Sequence, residues 1–253
     1  MSRMHNVVYV VGSPGAGKTT ALRSLASPPD VRINDNDVRW TLKGPMAFIG
    51  LYEGQGLENS SNMGGDRVAR HANRLSLEYW KRNILPDPKY STTILDGEMF
   101  LWDSHLKALQ GTLEFIPEEQ RKHFLPGGLY FKTYHAIDTG DENRFPIWRG
   151  GAPSDVQIRV SCIFLTISPE TSLQRRRERE ASGVAHGATI NSDGHMKTAA
   201  SKQRNFATKC RELAEESIFM GEANPIGYLE VNVEGMSPQN VSLTIESYIK
   251  GLS

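Results

Sequence analysis

The run Val7-Val8-Tyr9-Val10-Val11-Gly12-Ser13-Pro14-Gly15-Ala16-Gly17-Lys18-Thr19-Thr20 decides the fold. Its first five residues are β-branched or aromatic without polar alternation, the pattern of a strand buried on both faces. Gly12 to Thr19 then matches GxxxxGK[ST] in full, and Gly17 to Ala26 reads as a helix that stops at Ser27-Pro28-Pro29. Strand, glycine-rich turn and helix in that order give the motif its physical sense. Small residues at Gly12, Ser13, Pro14, Gly15, Ala16 and Gly17 let backbone N–H groups turn toward phosphate oxygens, and the helix N-terminus adds partial positive charge. Lys18 is expected to reach the β- and γ-phosphates of ATP and Thr19 to ligate Mg²⁺ through its hydroxyl. Thr20 joins the nucleotide-binding set as a neighbour, not as the metal ligand.

Outward from this run, further short apolar strands are expected at Val31-Arg32-Ile33, Thr92 to Leu95, Val160 to Ile167 and Leu229 to Val233. Helices are expected from Asp66 to about Arg82, from Ser168-Pro169 onward, over 197–219, and from Ser237-Pro238 to the end. Strands alternating with helices predict an α/β fold of the P-loop kinase type: a parallel five-stranded sheet with helices on both faces. Ligands of such sheets collect at the carboxyl ends of the strands. The whole chain, 1–253, reads as one domain. Residues 97–159 break the alternation and predict an insertion at the acceptor-site rim. It holds a β-hairpin built from Tyr130–His135 and Phe145–Arg149 around the turn-prone Thr139–Asn143. Residues 175–196 read as a lid, with a polar, glycine-containing loop over 182–195.

Composition narrows the function. The 253 residues carry 29 Lys+Arg and 29 Asp+Glu, so net charge alone does not predict strong non-specific DNA binding. Hydrophobic residues make up 38% and charged residues 23%, an ordinary globular balance with a real core. Two distant cysteines, Cys162 and Cys210, form neither a disulfide framework nor a zinc pattern and suit a reducing compartment. No apolar run approaches the ~20 residues of a membrane span. A polar start, Met1 to Asn6, leads straight into a strand without a signal peptide. The expectation is a cytoplasmic protein (host cytoplasm if viral), monomer or homodimer, with no membrane partner.

The carboxyl ends of the other strands supply candidate chemistry. Asp96 ends the third strand and is the candidate Walker B acid, holding Mg²⁺ through water; the alternative is an Asp capping the turn before Gly97. Glu98 is a weaker second. After strand two, Asn34-Asp35-Asn36-Asp37-Val38-Arg39 places two carboxylates at i and i+2. One can sit near Mg²⁺ and the other can take the proton of an attacking hydroxyl. An ionised phosphate acceptor needs no such base, so Asp35 and Asp37 favour a hydroxyl acceptor over an Asn/Asp-rich turn without chemistry. Arg39 can hold an anionic group of that acceptor. Arg67, Arg70, His71 and Arg74 share one helix face, which either grips acceptor phosphates or is solvated. Arg175 and Arg179, at i and i+4 before the loop, are candidates to neutralise transition-state charge; paired Glu–Arg contacts are the alternative. Tyr130, Tyr134, Phe145 and Trp148, interleaved with Lys132, Arg144 and Arg149, suit packing of the insertion and, second, base stacking.

At the loop, the Asn34–Arg39 segment and the arginine helix, the chain resembles the P-loop kinases of nucleotides and nucleic acids. GSPGAGKT, helix, strand and N-D-N-D-x-R are similar to the start of phage polynucleotide 5′-kinases, where two adjacent acids precede the Arg and the first is the base. Here Asn36 and Asp37 occupy those two positions. The D-x-D spacing resembles shikimate-kinase-type enzymes, and Pro169–Arg175 with Arg179 resembles the lid helix of thymidylate kinases. The Asp-Arg-aromatic signature of the latter is replaced by Asp96-Gly97-Glu98. The combination resembles the phage 5-hydroxymethyluracil DNA kinases. That likeness implies transfer of the ATP γ-phosphate to a hydroxyl of a nucleoside or of DNA, with a kinase of nucleoside monophosphates or other small metabolites as the alternative.

Overall fold

The computed structural model describes residues 3–35, 38–52, 79–96, 156–181, 193–219 and 226–252. In chain order the elements are β1 (Arg3–Gly12), α1 (Lys18–Ala26), β2 (Val31–Asp35), β3 (Val38–Lys43) and β4 (Met46–Ile49). A π-helical turn (Trp80–Ile84), β5 (Thr92–Asp96), β6 (Val156–Thr166), α2 (Pro169–Ala181), α3 (Asp193–Phe219), β7 (Gly227–Asn232) and α4 (Pro238–Gly251) follow.

The strands form one mixed sheet of seven, ordered β2-β3-β4-β5-β1-β6-β7. β4, β5, β1, β6 and β7 run parallel, while β3 lies antiparallel to both β2 and β4. β1 is central, and its side chains alternate between two cores. Val7, Tyr9 and Val11 pack with Trp80, Ala207 and Cys210, on the face that α3 covers. Val8 and Val10 pack with Leu22 and Leu25 of α1 and with Val241, Ile245 and Ile249 of α4. Burial on both faces is why this stretch is continuously apolar.

The expected five-stranded parallel sheet is corrected to seven strands in a mixed sheet. Val38–Lys43 and Met46–Ile49 are two strands for which no element was expected. The reason lies in period-2 patterning: Ile33, Val38, Trp40 and Leu42 share one apolar face of the paired strands, and alternation on either side of an Asn/Asp-rich stretch of sequence is a hairpin signal. Gly44, at φ 53°, turns β3 back into β4. The loop expected over 182–195 also ends sooner, because Asp193 to His195 already belong to α3. The helix expected from Asp66 lies outside the described residues except at its end, where Trp80–Ile84 is π-helical. Residues 97–155 of the expected insertion, including its hairpin, and residues 182–192 also lie outside them, while residues 156–159 belong to β6. No helix among the described residues is long and apolar enough to cross a membrane.

Candidate active site

Because β1 sits between β5 and β6, the loop that follows it emerges at the middle of the sheet's carboxyl edge. Its glycines are dictated by neighbours. A Cβ on Gly12 would lie 2.3 Å from the Leu165 carbonyl oxygen, in the register pair that joins β1 to β6. Gly15, at φ 89°, would press a Cβ to 3.1 Å from the Ser172 carbonyl oxygen. Ala16 N–H donates to Ser13 O at 3.0 Å and closes the turn. Gly17 is the N-cap of α1 with no side-chain cap, and the first turn holds no acidic residue. The first N–H groups of α1 are therefore left to face an anion.

The Lys18 ammonium lies across the loop, donating to Gly12 O at 2.6 Å and to Ser13 O at 3.4 Å. Thr19 Oγ1 donates to Asp96 Oδ2 at 3.0 Å. Asp96 ends β5, the strand beside β1, and is only 2% exposed. The same Oδ2 accepts from the Tyr52 hydroxyl at 3.2 Å. A hydroxyl and a carboxylate at a phosphate-facing loop are hard oxygen donors that fit Mg²⁺, which takes few protein ligands and completes its shell with phosphate and water. Among the described residues no larger cluster of His, Cys, Asp and Glu offers another metal site.

The arginine helix rests directly on the loop. Ser168 caps α2, its Oγ accepting from Thr171 N–H at 3.1 Å. One turn on, Ser172 Oγ donates to Pro14 O at 2.6 Å and Arg175 Nη1 donates to Gly15 O at 3.2 Å. Glu234, in the turn after β7, ties the start of α2 down by accepting from Ser168 N–H at 3.0 Å and from the Thr171 hydroxyl. The Thr171 hydroxyl first, then the Ser168 N–H, hold the Glu234 carboxyl below its ordinary range, with Arg175 adding to the effect. Arg179 lies on α2; its side chain is outside the described residues.

α3 contributes from the other face. Gln203 Oε1 accepts from Gly12 N–H at 2.8 Å, and the side chain is 4% exposed. Gln203 shares the buried face of α3 with Ala207, Cys210 and Ala214. A lone amide on that otherwise small apolar stripe is a sequence signal that could have found it, since a buried amide needs a polar partner. Tyr52 and Ser172 carried no such signal, since the first depends on β3 and β4 and the second on α2 meeting the loop.

The structure thus gathers Gly12 to Thr19, Asp96 and Arg175, with Thr20 next along α1. It does not bring Asp35 or Arg39 to them. Asp35 ends the outermost strand, four strand spacings from β1, or roughly 19 Å along the sheet. Arg39 lies on β3, one strand nearer, its Nη1 donating to Val38 O at 3.0 Å. Asp37, Arg67, Arg70, His71, Arg74 and Glu98 lie outside the described residues.

No known family model and no curated protein sequence matches the chain. Among solved structures, it is similar to a tRNA delta(2)-isopentenylpyrophosphate transferase from Staphylococcus epidermidis, with a TM-score of 0.34 and 12% identity over 98% of this chain and 100% of that one. The functional reading rests on the site itself.

Proposed function

We propose that the chain is an ATP-dependent phosphotransferase that binds the nucleotide with Mg²⁺ at Gly12–Thr19 and passes the γ-phosphate to a hydroxyl of a nucleoside or of DNA. The observation that carries this reading is the meeting of three groups on one loop: Lys18 across it, Thr19 hydrogen-bonded to Asp96, and Arg175 on the Gly15 carbonyl. Each has a part in moving a phosphoryl group. The loop N–H groups and Lys18 hold the β- and γ-phosphates, and Thr19 with Asp96 would hold the metal. Bound Mg²⁺ would neutralise charge on the β- and γ-oxygens. Arg175, held on the loop at the Gly15 carbonyl, is the candidate to neutralise charge that develops on the transferring group. In the transfer, the acceptor oxygen bonds to the γ-phosphorus, the bond to the β,γ-bridging oxygen breaks, ADP leaves, and the hydroxyl proton goes to a base.

The acceptor side rests on the acid pair and on the resemblance to phage 5-hydroxymethyluracil DNA kinases. A base has to come within hydrogen-bond reach of the attacking hydroxyl. Asp35, at the sheet's outer edge, does not do so as placed; Asp37, the other acid of the pair, lies outside the described residues. Arg39, Arg67, Arg70 and Arg74 are retained as candidate contacts for an anionic acceptor.

Transfer from γ-labelled ATP to 5-hydroxymethyluracil DNA, plain DNA, nucleosides, nucleoside monophosphates and sugars tests both halves of the proposal. Labelling of a hydroxyl acceptor, lost on Lys18→Ala by roughly 10²-fold or more, is expected. Labelling confined to nucleoside monophosphates moves the reading to a nucleotide kinase. Failure of the wild-type chain to bind Mg·ATP at all removes it.

A further inference from the structure

We propose that Tyr52 is a positioning residue for Asp96, and so sets how tightly the site holds the metal that accompanies the nucleotide. This rests on the nucleotide-site reading above and adds a residue that the phosphate-loop pattern does not contain.

Tyr52 follows β4, outside every loop motif, yet its hydroxyl is 3.2 Å from Asp96 Oδ2. The side chain is held from both ends. Its backbone N–H donates to Thr41 Oγ1 at 3.0 Å, and that hydroxyl in turn donates to Gly50 O at 2.9 Å. Its ring is 1% exposed and packs on Phe48, with centroids 5.9 Å apart and planes tilted by 60°. A phenol fixed this way delivers its proton to one place. Asp96 Oδ2 therefore accepts from two hydroxyls that belong to different elements, Thr19 on α1 and Tyr52 beyond β4. Two donors on one oxygen set the rotation of the carboxylate about its Cβ–Cγ bond. A carboxylate already turned toward the loop does not have to be ordered when the metal arrives, so the ordering cost falls at folding and not at binding. Arg23, one turn below Thr19 on α1, is near enough to the phenol for the two to interact electrostatically.

A purely structural phenol would satisfy a buried carboxylate and affect stability alone. Metal linkage separates the two roles. Binding of a non-hydrolysable ATP analogue to the full chain is measured by calorimetry across a Mg²⁺ series and in EDTA. Mn²⁺ occupancy is followed by electron paramagnetic resonance, and thermal midpoints are taken without ligand. In Tyr52→Phe the Mg²⁺ and Mn²⁺ concentrations at half-occupancy should rise about tenfold, the effect of losing one hydrogen bond to a charged group. Analogue affinity in EDTA should stay at the wild-type value. Asp96→Asn should shift the metal dependence further. If Tyr52→Phe lowers the thermal midpoint but keeps wild-type metal dependence while Asp96→Asn changes it, the positioning role is wrong and the site reading stands. Unchanged metal dependence in Asp96→Asn as well overturns both.

Discussion

At the scale of single residues, the peptide of Gly12 is the most constrained group at the site. Its Cα leaves no room for a side chain beside Leu165, and its N–H has a dedicated acceptor in Gln203. That amide comes from α3, 191 residues away in sequence, so the glycine motif held no trace of it. Gln203→Met keeps the length of the side chain and removes the acceptor. The buried N–H would be left without its partner, at a cost of about 1–3 kcal/mol, read as a lower urea midpoint at unchanged m-value. The contiguous part of the site was legible in the sequence because the phosphate grip is made by neighbouring peptides and one strand–helix junction. Tyr52 and Ser172 were not, because each acts through a contact made only once distant elements pack; Gln203 showed only as a lone amide on the apolar stripe of α3, without its partner.

At the scale of elements, α1 and α4 lie together on one face of the sheet, and their apolar stripes meet over Val8 and Val10. Ile245 is fully buried in this layer. Truncation by Ile245→Ala should cost about 2–5 kcal/mol, the usual range for a large-to-small change that leaves a cavity, with nucleotide binding intact at temperatures where the variant stays folded. Denaturant unfolding alongside calorimetric titration checks both halves. The parallel elements announced themselves through continuous apolar runs and capped helices; Ser237, for example, accepts from Asn240 N–H at 3.2 Å at the start of α4. The β2–β3 hairpin was equally present in the alternation from Val31 to Lys43. The carboxylates and amides of Asn34–Asp37, however, suggest chemistry and draw attention from the period of two around them. Asp35 therefore sits at the outer edge of the sheet and not at the mouth of the loop.

At the scale of the molecule, one buried polar network ties the sheet to the π-helical turn at the end opposite the loop. His5 Nδ1–H donates to Tyr90 O at 3.1 Å, and its Nε2, 2.9 Å away, accepts from the Thr93 hydroxyl, which accepts in turn from Trp80 Nε1–H at 2.7 Å. Arg3 reaches the Asp87, Tyr90 and Leu85 carbonyls beside it. These partners define a neutral tautomer. Burial first, then the Arg3 cation, push the His5 pKa down to about 4 from 6.5, against the bond to the Tyr90 carbonyl, which raises it. The unfolded chain then takes up a proton more readily than the folded one. The contribution is complete above pH 6.5 and is lost as pH falls toward 4, on the order of 3 kcal/mol in all. Urea midpoints at pH 7.5 and pH 5 should show this decline, and His5→Gln should flatten it.

The docking of Ser172 and Arg175 on the Pro14 and Gly15 carbonyls has a mechanical corollary. The arginine is already anchored on the cradle, by a bond to the loop's own backbone. As long as these two bonds hold, the first two turns of α2 and the loop move as one piece.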